Sequence, residues 1–295
     1  MILAKAKGAG GLSMTAGLIL IGLGPSGISN MTRAAISAAT QADIRLYEAY
    51  TALWSESALA QLETEIGEIT KVMRPEVEEP SQMLSLAKEK SVALLVVGDP
   101  LQATTHVDLQ LQAQEAGIDC EIIHGISITG LVTGAVGLSN YKFGRQTTLT
   151  YPYGGWIATS PLEVIALNRI QGLHTLCLLD LDPTGAGTGN QKPMQPEDAQ
   201  TAIMAMAKKL EDSIDEDIND SNLQRLKFEA SQKIIAELND LDVVICTDMG
   251  GKNQSISYLP LKDLHICETG GLHCLVIPAK LSEVEQKALI RWTKQ

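Results

Sequence analysis

Residues Val92–His106 read VALLVVGDPLQATTH. The first six, Val92–Val97, form an unbroken apolar run rich in β-branched residues, which fits a strand buried on both faces of a parallel sheet. The run stops at Gly98-Asp99-Pro100. Thr104-Thr105-His106-Val107-Asp108 then reads as the first turn of a helix, with Thr as cap and an acid early in the turn. Open α/β sheets bind ligands where the carboxyl end of a parallel strand faces a helix N-terminus. The stretch therefore predicts a ligand-facing turn with Asp99 as its polar contact. The plainer alternative is that Asp99, standing before Pro, only braces the turn.

Working outward, strand and helix patterns alternate. LILIGLG (18–24), DIRLYE (43–48), EITKV (68–72) and CEIIHG (120–125) read as further strands. The helices expected between them are MTRAAISAATQA (31–42), SESALAQLETEIG (55–67), SQMLSLAKEK (81–90) and TTHVDLQLQAQEAG (104–117). A βαβα rhythm implies a mostly parallel sheet with helices on its faces. Ile126–Gly144, rich in Gly, Ser and Thr, reads as the passage into a second domain. There TTLTYPYG (147–154) alternates like an antiparallel strand, and LHTLCLLDLD (173–182), DVVICTDM (242–249) and HCLVIPA (273–279) read as buried strands. Helices are expected over SPLEVIALNRIQ (160–171), with Ser160 as cap, over 196–210 and 222–239, and over SEVEQKALIRW (282–292) with a capping box. The expected division is a leader over 1–16, an N-terminal α/β domain over 17–126 and a C-terminal α+β domain over 127–295.

The totals narrow the class. With 295 residues, 45% hydrophobic and 20% charged, the chain is globular and long enough for two domains. Half of its formal charge of −12 lies in Glu211–Asp220, which has six acids and no base. Such a balance argues against a nucleic-acid partner. Five cysteines without a CxxC pair read as the reduced thiols of a cytoplasmic protein. The start, MILAKAKGAGGLSMTAG, lacks the apolar core of a secretory signal, and Met14 is an alternative first residue. Ile126–Leu138, broken by Ser127, Thr129 and Thr133, is too short to span a membrane.

Several motifs have competing readings. IGLGPSG (21–27) invites a dinucleotide site, but no acid follows in the expected context, Glu48 coming nearest, and Pro25 blocks a helix from starting at Gly24. A tight turn that lets a ligand or another strand approach the backbone is the plainer reading. His265, Cys267, His273 and Cys274 match no standard zinc spacing, so no metal is expected. His106, His124 and His174 read as structural. Eight of the eleven aromatics lie in two groups, Tyr47, Tyr50 and Trp54, then Tyr141, Phe143, Tyr151, Tyr153 and Trp156. They read either as an interface or as a wall for a cationic ligand.

Taken together, IGLG, GDPLQATTH (98–106), HGISI (124–128), YKFG (141–144), YPYGGWIATS (151–160), GLHTLCLLDLD (172–182) and LHCLVIPAKL (272–281) resemble the diphthine synthase family. That family is a branch of the tetrapyrrole methylase superfamily. The resemblance implies two α/β domains with S-adenosyl-L-methionine bound in a cleft between them, and commonly a homodimer. It implies repeated methylation of the amino group of the 3-amino-3-carboxypropyl-histidine of elongation factor 2, forming diphthine. Carried over motif by motif, the implied cofactor contacts are Pro25, Asp99, Gln102, Ser127, Ile128, Leu179, Met249 and His273. Asp248 stands where the family commonly has Arg, and Pro183–Asn190 and the acidic run look like insertions.

The implied chemistry needs alignment more than a dedicated base. Proximity supplies as much as ~7–11 kcal/mol to a displacement at carbon. An α-amino group of pKa about 7.7–8.0 is roughly a tenth free base at neutral pH. No catalytic residue is therefore assigned from the sequence. A small-molecule, tetrapyrrole-type methylase and an inactive cofactor-binding module are the alternatives.

Overall fold

A computed structural model of the chain describes residues 15–212 and 221–293. Most of the expected leader, including Met14, and residues 213–220 of the acidic run lie outside the described residues. The fold consists of two compact units, Met1–Ser127 and Ile128–Gln295.

In the first unit, β1 (Gly17–Gly22), β2 (Ile44–Glu48), β3 (Thr70–Val72), β4 (Ser91–Val96) and β5 (Cys120–Ile123) form one sheet in the order β3-β2-β4-β1-β5. Every pairing is parallel. β1 and β4 are buried at all positions, as their continuous apolar runs require. Alternate residues divide between the faces. Ile19 and Ile21 pack with Ala35, Ala39, Leu59 and Leu62 of helices Arg33–Gln41 and Glu56–Ile66. Leu18 and Leu20 pack with Met83, Ala87, Leu109 and Ala113 of helices Ser81–Ala87 and His106–Glu115. Thr32 and Ser55 cap the first two helices by accepting from Ala35 N and Ala58 N. A short helix, Arg74–Glu78, lies between β3 and helix Ser81–Ala87.

In the second unit, β6 (Thr147–Leu149), β7 (Thr175–Leu179), β8 (Asp242–Thr247), β9 (Ser255–Pro260) and β10 (His273–Ile277) form a mixed sheet in the order β6-β7-β10-β8-β9. Only β6 and β7 run parallel. Here the structure departs from several expectations. The alternation in 147–154 yields only the strand β6, parallel to β7, because Tyr151 and Tyr153 turn away to bond Asp180. The Gly- and Thr-rich passage after residue 126 contains a helix, Ile128–Ala135, whose Val132 is fully buried. Thr159, not Ser160, stands at the N-cap of Ser160–Ile170, and its hydroxyl bonds the Glu163 carboxylate. β9 was not foreseen; it is a half-exposed edge strand without a long apolar run.

A buried acid knits this unit together. Glu285 of helix Glu283–Ile290 accepts from Ser139 N (3.0 Å), Lys142 Nζ (2.7 Å), His174 Nε2 (3.1 Å) and Ser282 N (2.8 Å). His174 Nδ1 accepts from Ala279 N, which fixes its proton on Nε2. Burial opposes the charge on Glu285, but these donors outweigh it and hold the carboxyl well below the usual carboxylate range. A depressed folded pKa means the stabilisation is present above the unfolded value of ~4.3 and is lost as pH falls through the folded one. Glu285→Ala leaves several buried donors and a half-buried ammonium unmatched, so it is expected to cost about 2–4 kcal/mol. Urea unfolding at neutral pH measures this; an unchanged midpoint would contradict the role.

Candidate functional site

Three loops leave the carboxyl edge of the first sheet through glycine. Those following β1, β4 and β5 meet at Gly22, Gly98 and Gly125, where no side chain fits. A Cβ on Gly22 would lie 2.4 Å from Gly125 N and 2.7 Å from Gly98 O, and one on Gly125 only 2.1 Å from Gly98 O. Gly24 and Gly98, both with left-handed φ (+75° and +78°), exchange two backbone hydrogen bonds of 3.1 and 2.9 Å. The Gly24 carbonyl also accepts from Trp54 Nε1 (3.0 Å), and Trp54 N donates to the Tyr47 hydroxyl (2.9 Å). Tyr47, Tyr50 and Trp54 are therefore core residues, against the expectation of an interface or cation wall. The glycine-rich segment does what its plainer reading required: it lets other strands' loops approach the backbone.

Asp99 is only 4% exposed and is held by three donors. Oδ1 accepts from Leu101 N (3.0 Å), while Oδ2 accepts from His124 Nδ1 (2.8 Å) and Gly125 N (3.3 Å). The Pro100 carbonyl faces Thr104 Oγ1 (2.7 Å) and His106 Nδ1 (2.9 Å). Thr104 thus spends its hydroxyl on the turn, and Thr105, at the N-cap of the next helix, makes no side-chain cap bond. Asp99 braces this edge. With about four lone-pair sites on a carboxylate, it also retains capacity for one further donor. Pro25 and Ser127 are half-buried in flanking loops, and Gln102 is exposed, its N–H on the Asp99 carbonyl (3.3 Å). His124 was read as structural, yet its side chain is 70% exposed against a buried acid. The signal for it was a His-Gly pair directly after a strand.

The remaining residues fall in the second unit. Ile128 opens helix Ile128–Ala135. Leu179 ends β7, one step beyond the Leu178–Cys274 pair, which sets it opposite His273 at the start of β10. His273 pairs with Thr247 at the end of β8, its Nδ1 2.9 Å from Thr247 Oγ1. Its Nε2 is buried with no hydrogen bond of ordinary geometry among the described residues, and burial holds the ring pKa below its ordinary value, opposed by Asp248 and the Gly270 backbone. A buried polar nitrogen left unpaired calls for an explanation, and a ligand group is one. Met249, two residues past the end of β8, is buried. Asp248, at φ +46°, accepts from Leu272 N (2.9 Å) and donates its own N–H to Leu272 O (2.9 Å). Asp248 thus ties the loop after β8 to the approach of β10.

The second aromatic group is anchored locally. Tyr151 and Tyr153 hydroxyls bond Asp198 and Asp180, and Lys209 Nζ already lies 5.2 Å from the Trp156 ring centroid. Among the described residues no group of three or more His, Cys, Asp or Glu is placed to hold a metal ion, and no helix is long and apolar enough to cross a membrane.

The class follows from comparison with known proteins. The profile of the Tetrapyrrole (Corrin/Porphyrin) Methylases matches residues 17–265. Diphthine synthase of Methanocella arvoryzae is 32% identical over 276 residues, covering 92% of this chain and 96% of the relative. That of Methanocaldococcus jannaschii is 32% identical over 275 residues, with 92% and 97% covered. A crystal structure of diphthine synthase superposes with a TM-score of 0.75 at 29% identity, covering 94% of this chain and 95% of the other. The chain belongs to the diphthine synthase branch of the tetrapyrrole methylase family.

Two measurements test the edge. Gly125→Ala should destabilise the fold by about 3 kcal/mol, the upper range for overpacking, because its methyl meets a backbone carbonyl rather than a movable side chain. Gly130→Ala, on a helix with open space around it, should instead stabilise by about 0.5–1 kcal/mol. Equal effects of the two changes in urea unfolding would exclude this account. Glu48, fully buried at the end of β2, tests the same edge by titration. Burial pushes its pKa up to about 7, although Thr51 N (3.0 Å) and Oγ1 (2.5 Å) donate to it. A raised carboxyl pKa means the folded state holds the proton longer, so stability falls as pH rises from ~4.3 to about 7. Glu48→Gln should flatten that slope in thermal melts; an unaltered slope would show that Glu48 does not cause it.

Proposed function

We propose that this protein is an S-adenosyl-L-methionine-dependent methyltransferase that repeatedly methylates the amino group of the 3-amino-3-carboxypropyl-histidine of elongation factor 2, forming diphthine. The observation that carries the reading is the near full-length match to diphthine synthases. It is supported by the GDPLQ and HGISI segments meeting at one sheet edge through Gly98, Asp99 and Gly125. The residues present fit the cofactor. It brings a carboxylate, an ammonium, ribose hydroxyls and adenine, and the chain offers spare acceptor capacity on Asp99 and the unpartnered Nε2 of His273. When bound, the cofactor supplies an electrophilic methyl group on a sulfonium. In this reading Asp99 accepts from a hydroxyl or amine of the cofactor, and His273 meets a polar group in a dry setting. Pro25, Gln102, Ser127, Ile128, Leu179 and Met249 contribute backbone groups and apolar contact. The same reading carries a cytoplasmic homodimer.

Radiolabelled methyl transfer tests the function directly. Label is expected on elongation factor 2 bearing the modified histidine. Label on a uroporphyrinogen-like compound instead would mark a small-molecule methylase, and cofactor binding without transfer an inactive module. Asp99→Ala should weaken cofactor binding about 10-fold, the equivalent of one charge-assisted hydrogen bond of ~1.4 kcal/mol, with the circular dichroism spectrum preserved. Wild-type affinity by calorimetry would remove Asp99 from the cofactor site.

A further inference from the structure

We infer that His124, oriented by the buried Asp99 carboxylate, is the catalytic residue that removes the proton from the acceptor amine; this rests on the amine-methylation reading above. The geometry fixes the ring's tautomer. An ionised carboxylate only accepts hydrogen bonds, so the 2.8 Å contact places the ring proton on Nδ1 and the lone pair on Nε2. Asp99 cannot swing away, because Leu101 N and Gly125 N hold the same carboxylate. It is 4% exposed while the His124 side chain is 70% exposed, so one end of the ring is fixed in protein and the other opens outward. Asp99 is the one charged side chain bonded to the ring among the described residues, and Nε2 makes no hydrogen bond there.

No other histidine combines these properties. His174 uses both ring nitrogens inside the second unit's core. His106 is buried with Nδ1 on the Pro100 carbonyl, and His273 is buried as well. His265 is exposed, but a backbone carbonyl, that of Lys262, stands behind its Nδ1 rather than a carboxylate. His124 also lies three residues before Ser127, in the loop that carries Gly125 against Gly98.

Repeated methylation creates the need. An ammonium nitrogen has no lone pair, and a methyl added to a primary or secondary amine leaves the nitrogen carrying a proton that must go before the next transfer. Before the next transfer one N–H bond must break, its electron pair staying on nitrogen and the proton bonding to His124 Nε2. The resulting imidazolium keeps its Nδ1–H on the Asp99 carboxylate, and the exposed ring returns the proton to water. Asp99 is the positioning residue in this scheme. The first transfer can use the roughly one tenth of amine that is free at neutral pH. The later ones make an exposed proton acceptor useful at every round.

The experiment uses the full chain, labelled S-adenosyl-L-methionine and elongation factor 2 carrying the modified histidine. His124→Gln should lower turnover on the order of 100-fold at pH 7, the low end for a positioned base. The deficit should narrow to within about 10-fold at pH 9, where an amine of pKa about 7.7–8.0 is already neutral. Cofactor affinity by calorimetry should be unchanged. In the unliganded protein, ring ¹⁵N shifts should report His124 protonated on Nδ1, with that preference lost in Asp99→Asn. Wild-type turnover in His124→Gln, a deficit independent of pH, or a ring protonated on Nε2 would each overturn the inference while leaving the methyltransferase reading intact. Failure of the wild type to label the factor would overturn both.

Discussion

The approach of Gly125 to the Gly98 carbonyl, closer than any Cβ permits, governs how the rest of the candidate site is built. Backbone pressed on backbone has no rotamer to adjust, so the loops after β1, β4 and β5 hold one relative position. Gly24 joins them through its paired bonds with Gly98, and the buried Trp54 indole fixes Gly24 from the core side. Asp99 follows Gly98 directly, so its carboxylate inherits that position and lies where His124 Nδ1 and Gly125 N can reach it. Remove the glycine contact and the acid, the imidazole and the three loops lose their common reference.

The two units meet their structural demands differently. The first buries β1 and β4 on both faces, and its precision comes from apolar layers and glycine contacts. The second carries a mixed sheet with a half-exposed edge strand, and it relies on polar nodes. Glu285 gathers donors from Ser139, Lys142, His174 and Ser282. Asp180 and Asp198 anchor two tyrosines, and Asp248 anchors Leu272. Glu285, the buried acid among them, has its charge matched by several donors, the condition under which a buried carboxylate is not a liability.

The parallel sheet was legible because continuous apolar runs such as Val92–Val97 leave few alternatives, and the helices between its strands followed from the alternation of patterns. β9 and the helix Ile128–Ala135 were not legible. The first is too polar to signal burial, and the second hides among glycines and threonines whose local preference is for loops. The first aromatic group misled for a physical reason. Tyr47 and Trp54 are core residues whose polar atoms bond each other and a glycine carbonyl, a partnership that no spacing reveals. At the site, Asp99 could be located from its strand, but His124 could not be matched to it, because they lie 25 residues apart on strands separated by β1.

That pairing also dissolves the choice between bracing and binding at Asp99. A carboxylate that serves only the turn would be satisfied by Leu101 N and Gly125 N, as a neutral amide oxygen would be in part. The third donor, an exposed imidazole, adds nothing to the turn, and holding a mobile ring costs side-chain entropy. What the third contact does accomplish is directional: it sets the proton on Nδ1 and faces Nε2 outward. Bracing fixes the acid, and only a fixed acid can orient a base. The structural and chemical readings of Asp99 are two consequences of one set of hydrogen bonds.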